Sequence, residues 1–120
     1  MRRSTRFGRN SVYKVILAPG AKLELRNALA YIKRKLRNPP AASHLADEAK
    51  ATLRDLRSLP ERYPFCNDPV LRLQGYHRAP VGNYLFIFRI TTKPNQVRVV
   101  HFFHETQDYL VTLQTEFPSP

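Results

Sequence analysis

The chain has 120 residues, of which 42% are hydrophobic, so it can form one domain with one modest core. No apolar run approaches the roughly 20 residues of a membrane span, and the basic N-terminus is not followed by the apolar stretch of a secretory signal. Lys and Arg number 20 against 9 Asp and Glu, which gives a formal net charge of +11. We therefore expect a cytoplasmic protein with no membrane partner and with an anionic one, nucleic acid first and an acidic protein second. The alternative is a solvated basic surface without a specific partner.

The start of the chain is polar, basic and without periodicity. We expect residues 1–11 to form a flexible arm that precedes a single domain over residues 12–117. The segment Val12–Ala18 alternates and is rich in β-branched side chains, which predicts a strand. Pro19 and Gly20 end this strand.

Two helices follow in the sequence pattern. Apolar side chains at helical spacing predict a first helix over Ala21–Arg37, and a second set predicts a helix over Ala42–Leu56. Asn38, Pro39 and Pro40 stand between them. Proline interrupts a helix interior but is tolerated in a first turn, so these residues end one helix and open the next. The pattern predicts an antiparallel helical hairpin.

The second half of the chain is typical of strands. Three segments carry this pattern: VLRLQGYHR over residues 70–78, NYLFIFRI over 83–90, and QVRVVHFFH over 96–104. The predicted order is β-α-α-β-β-β. This order indicates an α+β domain in which the helical hairpin packs on one face of a small, mainly antiparallel sheet.

Alternation along the strands predicts a polar face on this sheet. If the more apolar face of each strand meets the helices, the opposite face collects Arg72, Arg78, Arg89, Arg98 and His104. His101 then points toward the helices as a structural residue. A bulge near Gly75 would remove Arg78 from the set.

Such a face suits the chemistry of phosphodiesters. Arginine guanidinium groups match phosphate, and histidine transfers protons near neutral pH. Cleavage of RNA needs a base, cations for the phosphorane and an acid for the leaving oxygen, and His104 is the acid–base candidate. Asp68 and Glu105 are candidate bases or charge partners of the arginines, and Tyr109 either stacks on a base or packs. No Gly-rich phosphate loop, paired-cysteine or HExxH motif occurs, so no metal or cofactor is expected.

Five stretches in order resemble the RelE/ParE superfamily of bacterial toxins. They are YKVILAPGAKLELRNALAYI, PPAASHL, LRSLPERYP, GYHRAPVGNYLFIFRI and VVHFFHETQDY, and the resemblance covers residues 12 to about 113. It implies the toxin of a type II toxin–antitoxin system, which forms a hetero-oligomer with a cognate acidic antitoxin.

The superfamily has two branches with different targets. RelE-like and YoeB-like members are endoribonucleases that cut mRNA on the ribosome, whereas ParE-like members poison DNA gyrase. The YoeB-like pattern implies that Asp68, Arg78 and His104 are catalytic, although Glu105 stands where that pattern has a tyrosine.

The remaining side chains leave the target open. Arg72, Arg89, Arg98 and Tyr109 are the candidate nucleic-acid ligands. The strings GNYLFIFRI and HETQDY look more like ParE-type sequences. Both targets stay open at this point, together with a third hypothesis, a basic binding domain without activity.

Overall fold

The computed structural model describes residues 12–105. In chain order it contains β1 (Lys14–Leu17), α1 (Pro19–Ala30), α2 (Pro39–Leu56), α3 (Pro69–Leu73), β2 (Tyr76–Val81), β3 (Tyr84–Thr91) and β4 (Gln96–His104). The predicted α+β class is confirmed, and α3 is an additional short helix. The predicted arm and the C-terminal end of the predicted domain lie outside the described residues. Within residues 12–105, no helix has the length and apolarity needed to cross a membrane.

The helical hairpin forms where the prolines and Asn38 at the helix ends predict it. Pro19 opens α1, which continues into a π-helical turn over Tyr31–Lys35. Asn38 caps α2, because its side-chain oxygen accepts a hydrogen bond from the Ala41 N–H at 3.1 Å. Pro39 and Pro40 occupy the first turn of α2, where a missing N–H costs nothing.

Within the described residues, the sheet has four strands in the order β1-β4-β3-β2. β1 runs parallel to β4, and β3 runs antiparallel to both β4 and β2. β1 and β2 are therefore the two edge strands. β1 pairs with β4 only as far as Leu17 opposite Val99, so the C-terminal half of β4 extends beyond it.

A β-bulge in β4 changes which face its side chains occupy. Ile87 pairs with His101 and Phe88 with Val99, which leaves Val100 as the extra residue. Beyond the bulge Phe102 packs in the same apolar cluster as Val99, on the helix side. The prediction of strict alternation along this strand is therefore wrong after Val99.

The predicted strand over residues 70–78 is wrong in its first part. Pro69–Leu73 forms α3, whose N-cap is Asp68: its carboxylate accepts the Leu71 N–H at 3.1 Å. Gly75 then adopts a φ of 87°, a conformation that glycine reaches without strain, and β2 starts at Tyr76. The local capping signal of Asp68 and Pro69 outweighs the apolar alternation that follows.

Apolar clusters lie on both faces of the sheet. The helix-side core packs α1 and α2 on the sheet, and its buried members include Leu45, Leu56, Phe86, Phe88, Val99 and Phe102. The outer cluster lies on the opposite face, which we call the outer face, and consists of Cys66, Leu71, Tyr76, Leu85, Ile87 and Phe103. α3 supplies Leu71 and so covers one end of the outer face.

Candidate functional site

His104 lies on the helix side of the sheet. It ends β4 opposite Tyr84, and the two rings meet edge to face with centroids 5.1 Å apart. Tyr84 in turn stacks on Phe102, a member of the helix-side core, with centroids 4.8 Å apart. The prediction that His104 shares a face with the arginines is wrong, because the bulge at Val100 shifts the alternation by one residue.

His104 lines a cleft of about 390 Å³ between α1 and the ends of β3 and β4. The helical side of the cleft consists of Glu24, Asn27 and Ala28 of α1 and of Tyr31 in the π-helical turn that follows. Burial, and to a smaller extent the charge that an ionised Tyr31 would carry, raise the pKa of Tyr84. Its phenol therefore stays protonated at neutral pH and offers a hydrogen-bond donor, not a base, beside His104.

Glu24 has a structural task at the edge of the cleft. Its Oε1 accepts the backbone N–H of Phe102 at 3.0 Å and lies 3.2 Å from Nδ1 of His101. The carboxylate thus pairs with β4 where β1 has already ended. His101 is buried at 4% exposure and also stacks on Phe103, with centroids 4.7 Å apart. These contacts agree with the interpretation of His101 as a structural residue. The prediction that it points toward the helices is wrong, because beyond the bulge it pairs with Ile87 and shares the outer face with Phe103.

Arg78 and Asp68 both lie near Cys66 on the outer side of the sheet. Desolvation raises the pKa of the Cys66 thiol to about 11, the positive charge of Arg78 lowers it and the negative charge of Asp68 raises it. Among residues 12–105, the buried Nε of Arg78 has no hydrogen-bond partner. The carboxylate of Asp68 caps α3. The structure therefore places Asp68 and Arg78 near the same cysteine and His104 on the other side of the sheet.

Arg89 and Arg98 lie next to each other on the outer face. They are directly opposite one another on β3 and β4, and both side chains are exposed. The guanidinium carbon of Arg89 lies 5.3 Å from the ring centroid of Tyr76. A cleft of about 290 Å³ is lined by Tyr76, Arg89, Thr91, Gln96, Arg98 and Val100.

The other candidate residues are dispersed. Arg72 is exposed on α3, and its Nε donates to the Cys66 carbonyl at 3.3 Å. Glu105 is exposed after β4, where its backbone N–H bonds to Asn83 at 2.8 Å. Tyr109 lies outside the described residues. In the part of the chain that the structure covers, no group of three or more His, Cys, Asp or Glu side chains is arranged to hold a metal ion.

The sequence of the chain identifies its protein family. The sequence matches the family model for the ParE toxin of type II toxin–antitoxin system, parDE, over residues 15–109. The chain belongs to the ParE toxin family. The match runs from the second residue of β1 to beyond the end of β4 and includes both the His104 cleft and the outer face. The resemblance to the RelE/ParE superfamily is thereby confirmed.

Solved structures share the fold of this ParE-family chain at low sequence identity. A structure described as the chromosomal ParDE TA system from P. aeruginosa superposes with a TM-score of 0.61 at 11% identity, covering 79% of this chain and 98% of that one. The toxin–antitoxin complex RelBE2 from Mycobacterium tuberculosis superposes with a TM-score of 0.56 at 18% identity, covering 82% and 97%. No curated protein matches the chain at a significant level.

Two residues of the His104 cleft escape sequence reasoning. Tyr31 falls on the exposed side of a predicted helix, and it reaches the cleft from the π-helical turn that follows α1. Glu24 has a weak signal, a carboxylate between the apolar positions of that helix. That signal identifies neither its partner in β4 nor the end of β1 beside it.

Proposed function

We propose that this ParE-family toxin arrests growth by acting on DNA gyrase and that a cognate acidic antitoxin neutralises it. The observation that carries the choice of target is the separation of His104 from Arg78 by the sheet. Acid–base cleavage of a phosphodiester needs the proton-transfer group and the stabilising cation at the same phosphate. A single bound phosphate cannot contact both faces of the sheet, so this separation argues against the predicted nuclease site.

A groove at the β1 edge supports the antitoxin part of the proposal. Its volume is about 320 Å³, and its apolar lining is Val15, Leu17 and Leu53. Three cations of α2 and its end also line it, namely Lys50, Arg54 and Arg57. Among the strands of residues 12–105, β1 is an edge strand with no neighbour on its outer side, where a further strand can pair. An acidic segment with alternating apolar residues complements this groove in shape and charge.

Ribosome-dependent cleavage of mRNA is the second candidate. The observation in its favour is the set of cations on the outer face, Arg78, Arg89 and Arg98, which suits an RNA backbone. In that case proton transfer falls to a group other than His104, and Asp68 is a candidate because it lies, like Arg78, near Cys66.

Two assays on the purified protein separate these candidates. We expect the wild-type chain to block supercoiling by gyrase and to leave translated mRNA intact in primer extension on ribosomes. His104→Ala should retain the gyrase effect, because its ring lines a cleft on the side away from the arginines. Cuts in mRNA without any effect on supercoiling would overturn the proposal in favour of the nuclease. If expression of the chain does not slow growth, the inactive binding domain is the better description.

The antitoxin groove has its own test. Arg54→Glu places a like charge against an acidic segment, so we expect weaker binding of the cognate acidic antitoxin, measured by calorimetry. Arg26→Glu is the matched control, since Arg26 is exposed on α1 and does not line the groove. Equal losses for both variants would mean that net charge, and not this groove, determines the affinity.

A further inference from the structure

The facing arginines of the outer face repel each other. Arg89 and Arg98 are cross-strand partners, a position in which side chains of neighbouring strands come within contact distance. Like charges at such a position destabilise a sheet. The ion pairs formed within residues 12–105 are His44–Glu48, Arg62–Asp55 and His101–Glu24, so no acid of this part of the chain neutralises either arginine.

The neighbourhood of the pair adds to its positive potential. Arg89 lies over the ring of Tyr76, which is buried at 3% exposure and restricts where the guanidinium can move. Arg78 lies on the same face of β2, two residues after Tyr76. Its buried Nε has no hydrogen-bond partner within the described chain. Gln96 and Thr91 line the same cleft and supply neutral hydrogen-bonding groups.

We propose that Arg89 and Arg98 hold one phosphate of a DNA backbone on the outer face. Two guanidinium groups at facing positions can direct their N–H donors to the same anion, and the bound charge removes their mutual repulsion. The choice of DNA rests on the proposed action on gyrase, an enzyme that works on DNA. The phosphate site itself follows from the arginine pair alone.

The chemistry of the cleft favours the backbone over the bases. The aromatic ring of the cleft, Tyr76, is buried and already covered by Arg89, so it offers no face for base stacking. The exposed groups are the guanidinium groups of Arg89 and Arg98, which are always charged and whose N–H donors match phosphate oxygens. Binding at this site is therefore independent of sequence and falls as salt rises.

The test is binding of the full chain to a short fluorescent DNA duplex, measured by anisotropy over a range of salt concentrations. We expect Arg98→Gln to weaken binding on the order of 10-fold and to reduce the slope of log K against log salt by about 1. Arg26→Gln is the matched control, because it removes the same charge from α1 on the other side of the sheet. It should change both quantities much less.

Thermal melting without DNA provides the second measurement. If Arg98 repels Arg89, Arg98→Gln should melt at the same or a higher temperature than the wild type while its DNA affinity falls. Lower melting temperature together with unchanged DNA binding would overturn the proposal and leave Arg98 a structural residue. Equal losses of binding in Arg98→Gln and Arg26→Gln would also overturn it, since only net charge would then matter.

A competitor separates DNA from acidic protein. Suppose that poly-glutamate displaces the duplex from the wild type and that Arg98→Gln weakens its binding as much as it weakens that of DNA. This result would overturn the assignment to DNA in favour of an acidic protein. None of these measurements contains gyrase, so a failure of the phosphate site is distinct from a failure of the proposed target. A protein that binds DNA through Arg98 but leaves supercoiling unchanged supports the site and contradicts the target.

Discussion

The two faces of the sheet are covered to different extents. On the helix side α1 and α2 cover the strands, and twelve of the described residues are buried in the core beneath them. On the outer face α3 covers one end, six described residues are buried in the outer cluster, and Arg89 and Arg98 remain exposed beyond them. This difference separates the tasks of the faces: the helix side stabilises the fold, and the outer face keeps charged groups available to a partner.

The β-bulge near the end of β4 determines which face of the sheet each following side chain occupies. A single extra residue, Val100, places Phe102 and His104 on the helix side and Phe103 in the outer cluster. Without the bulge, His104 would lie on the face of Arg98 and complete the predicted acid–base site. One inserted backbone position thus decides whether the candidate catalytic groups meet.

Truncation of one phenylalanine on each face tests this comparison with the largest expected effect. Phe86 is fully buried in the helix-side core and contacts Phe102, whereas Phe103 belongs to the smaller outer cluster. Phe→Ala substitutions in cores cost about 3–5 kcal/mol. We expect Phe86→Ala to lie at the upper end of this range and Phe103→Ala at the lower end, measured by urea unfolding. Equal losses would contradict a difference in packing between the faces.

Removal of the Glu24 carboxylate tests the edge of the helix side. Glu24→Ala leaves the Phe102 N–H and the buried His101 ring without this acceptor. A buried donor that loses its acceptor costs about 1–3 kcal/mol, so the free energy of unfolding should fall by that amount. Glu24→Gln is the control, since its amide oxygen can still accept the Phe102 N–H. If both variants lose the same stability, the negative charge and not the hydrogen bond is what matters.

The caps of α2 and α3 allow a matched comparison with a smaller effect. Asn38 caps α2 and Asp68 caps α3, each through one side-chain bond to a backbone N–H at 3.1 Å. Asn38→Ala and Asp68→Ala should each cost about 1 kcal/mol. Only Asp68→Ala should accelerate the labelling of Cys66 by a thiol reagent, because α3 covers that cysteine and the charge of Asp68 raises its pKa. Faster labelling in Asn38→Ala would mean that loosening α2 on the helix side also exposes Cys66 on the outer face.

Much of the fold could be predicted because its signals are local. Alternation gave β4 with the bounds that the structure has, and Asn38 with its two prolines marked the turn of the hairpin. The start of the β2 region could not be predicted by alternation alone. There the cap formed by Asp68 outweighs a strand-like pattern, and Leu71 packs in the outer cluster from a helix and not from a strand.

The candidate site could be predicted only in part for a different reason. The outward direction of Arg78, Arg89 and Arg98 follows from alternation in unbroken stretches of strand. The direction of His104 depends on the bulge, and a bulge is set by pairing with β3, which alternation within one strand does not reveal. Long-range contacts such as Glu24 with Phe102 have no local signal either.

The protonation of Cys66 gives the smallest expected effect and concerns the outer face alone. Burial raises the pKa of its thiol from an ordinary value near 9 to about 11. Between these values the folded chain keeps a proton that the unfolded chain releases, so the unfolded state binds fewer protons and the free energy of unfolding falls as pH rises. Stability should be unaffected by this group below pH about 9 and should decline as the pH approaches about 11. Tyr13 and Tyr84 also have raised pKa values, the first through its hydrogen bond to Glu61 and the second through burial, and they contribute in the same direction.

Cys66→Ala isolates the thiol: its unfolding free energy, measured in urea at several pH values, should decline less steeply than that of the wild type. Parallel declines would show that the thiol ionises alike in both states, and hence that α3 leaves Cys66 accessible to water.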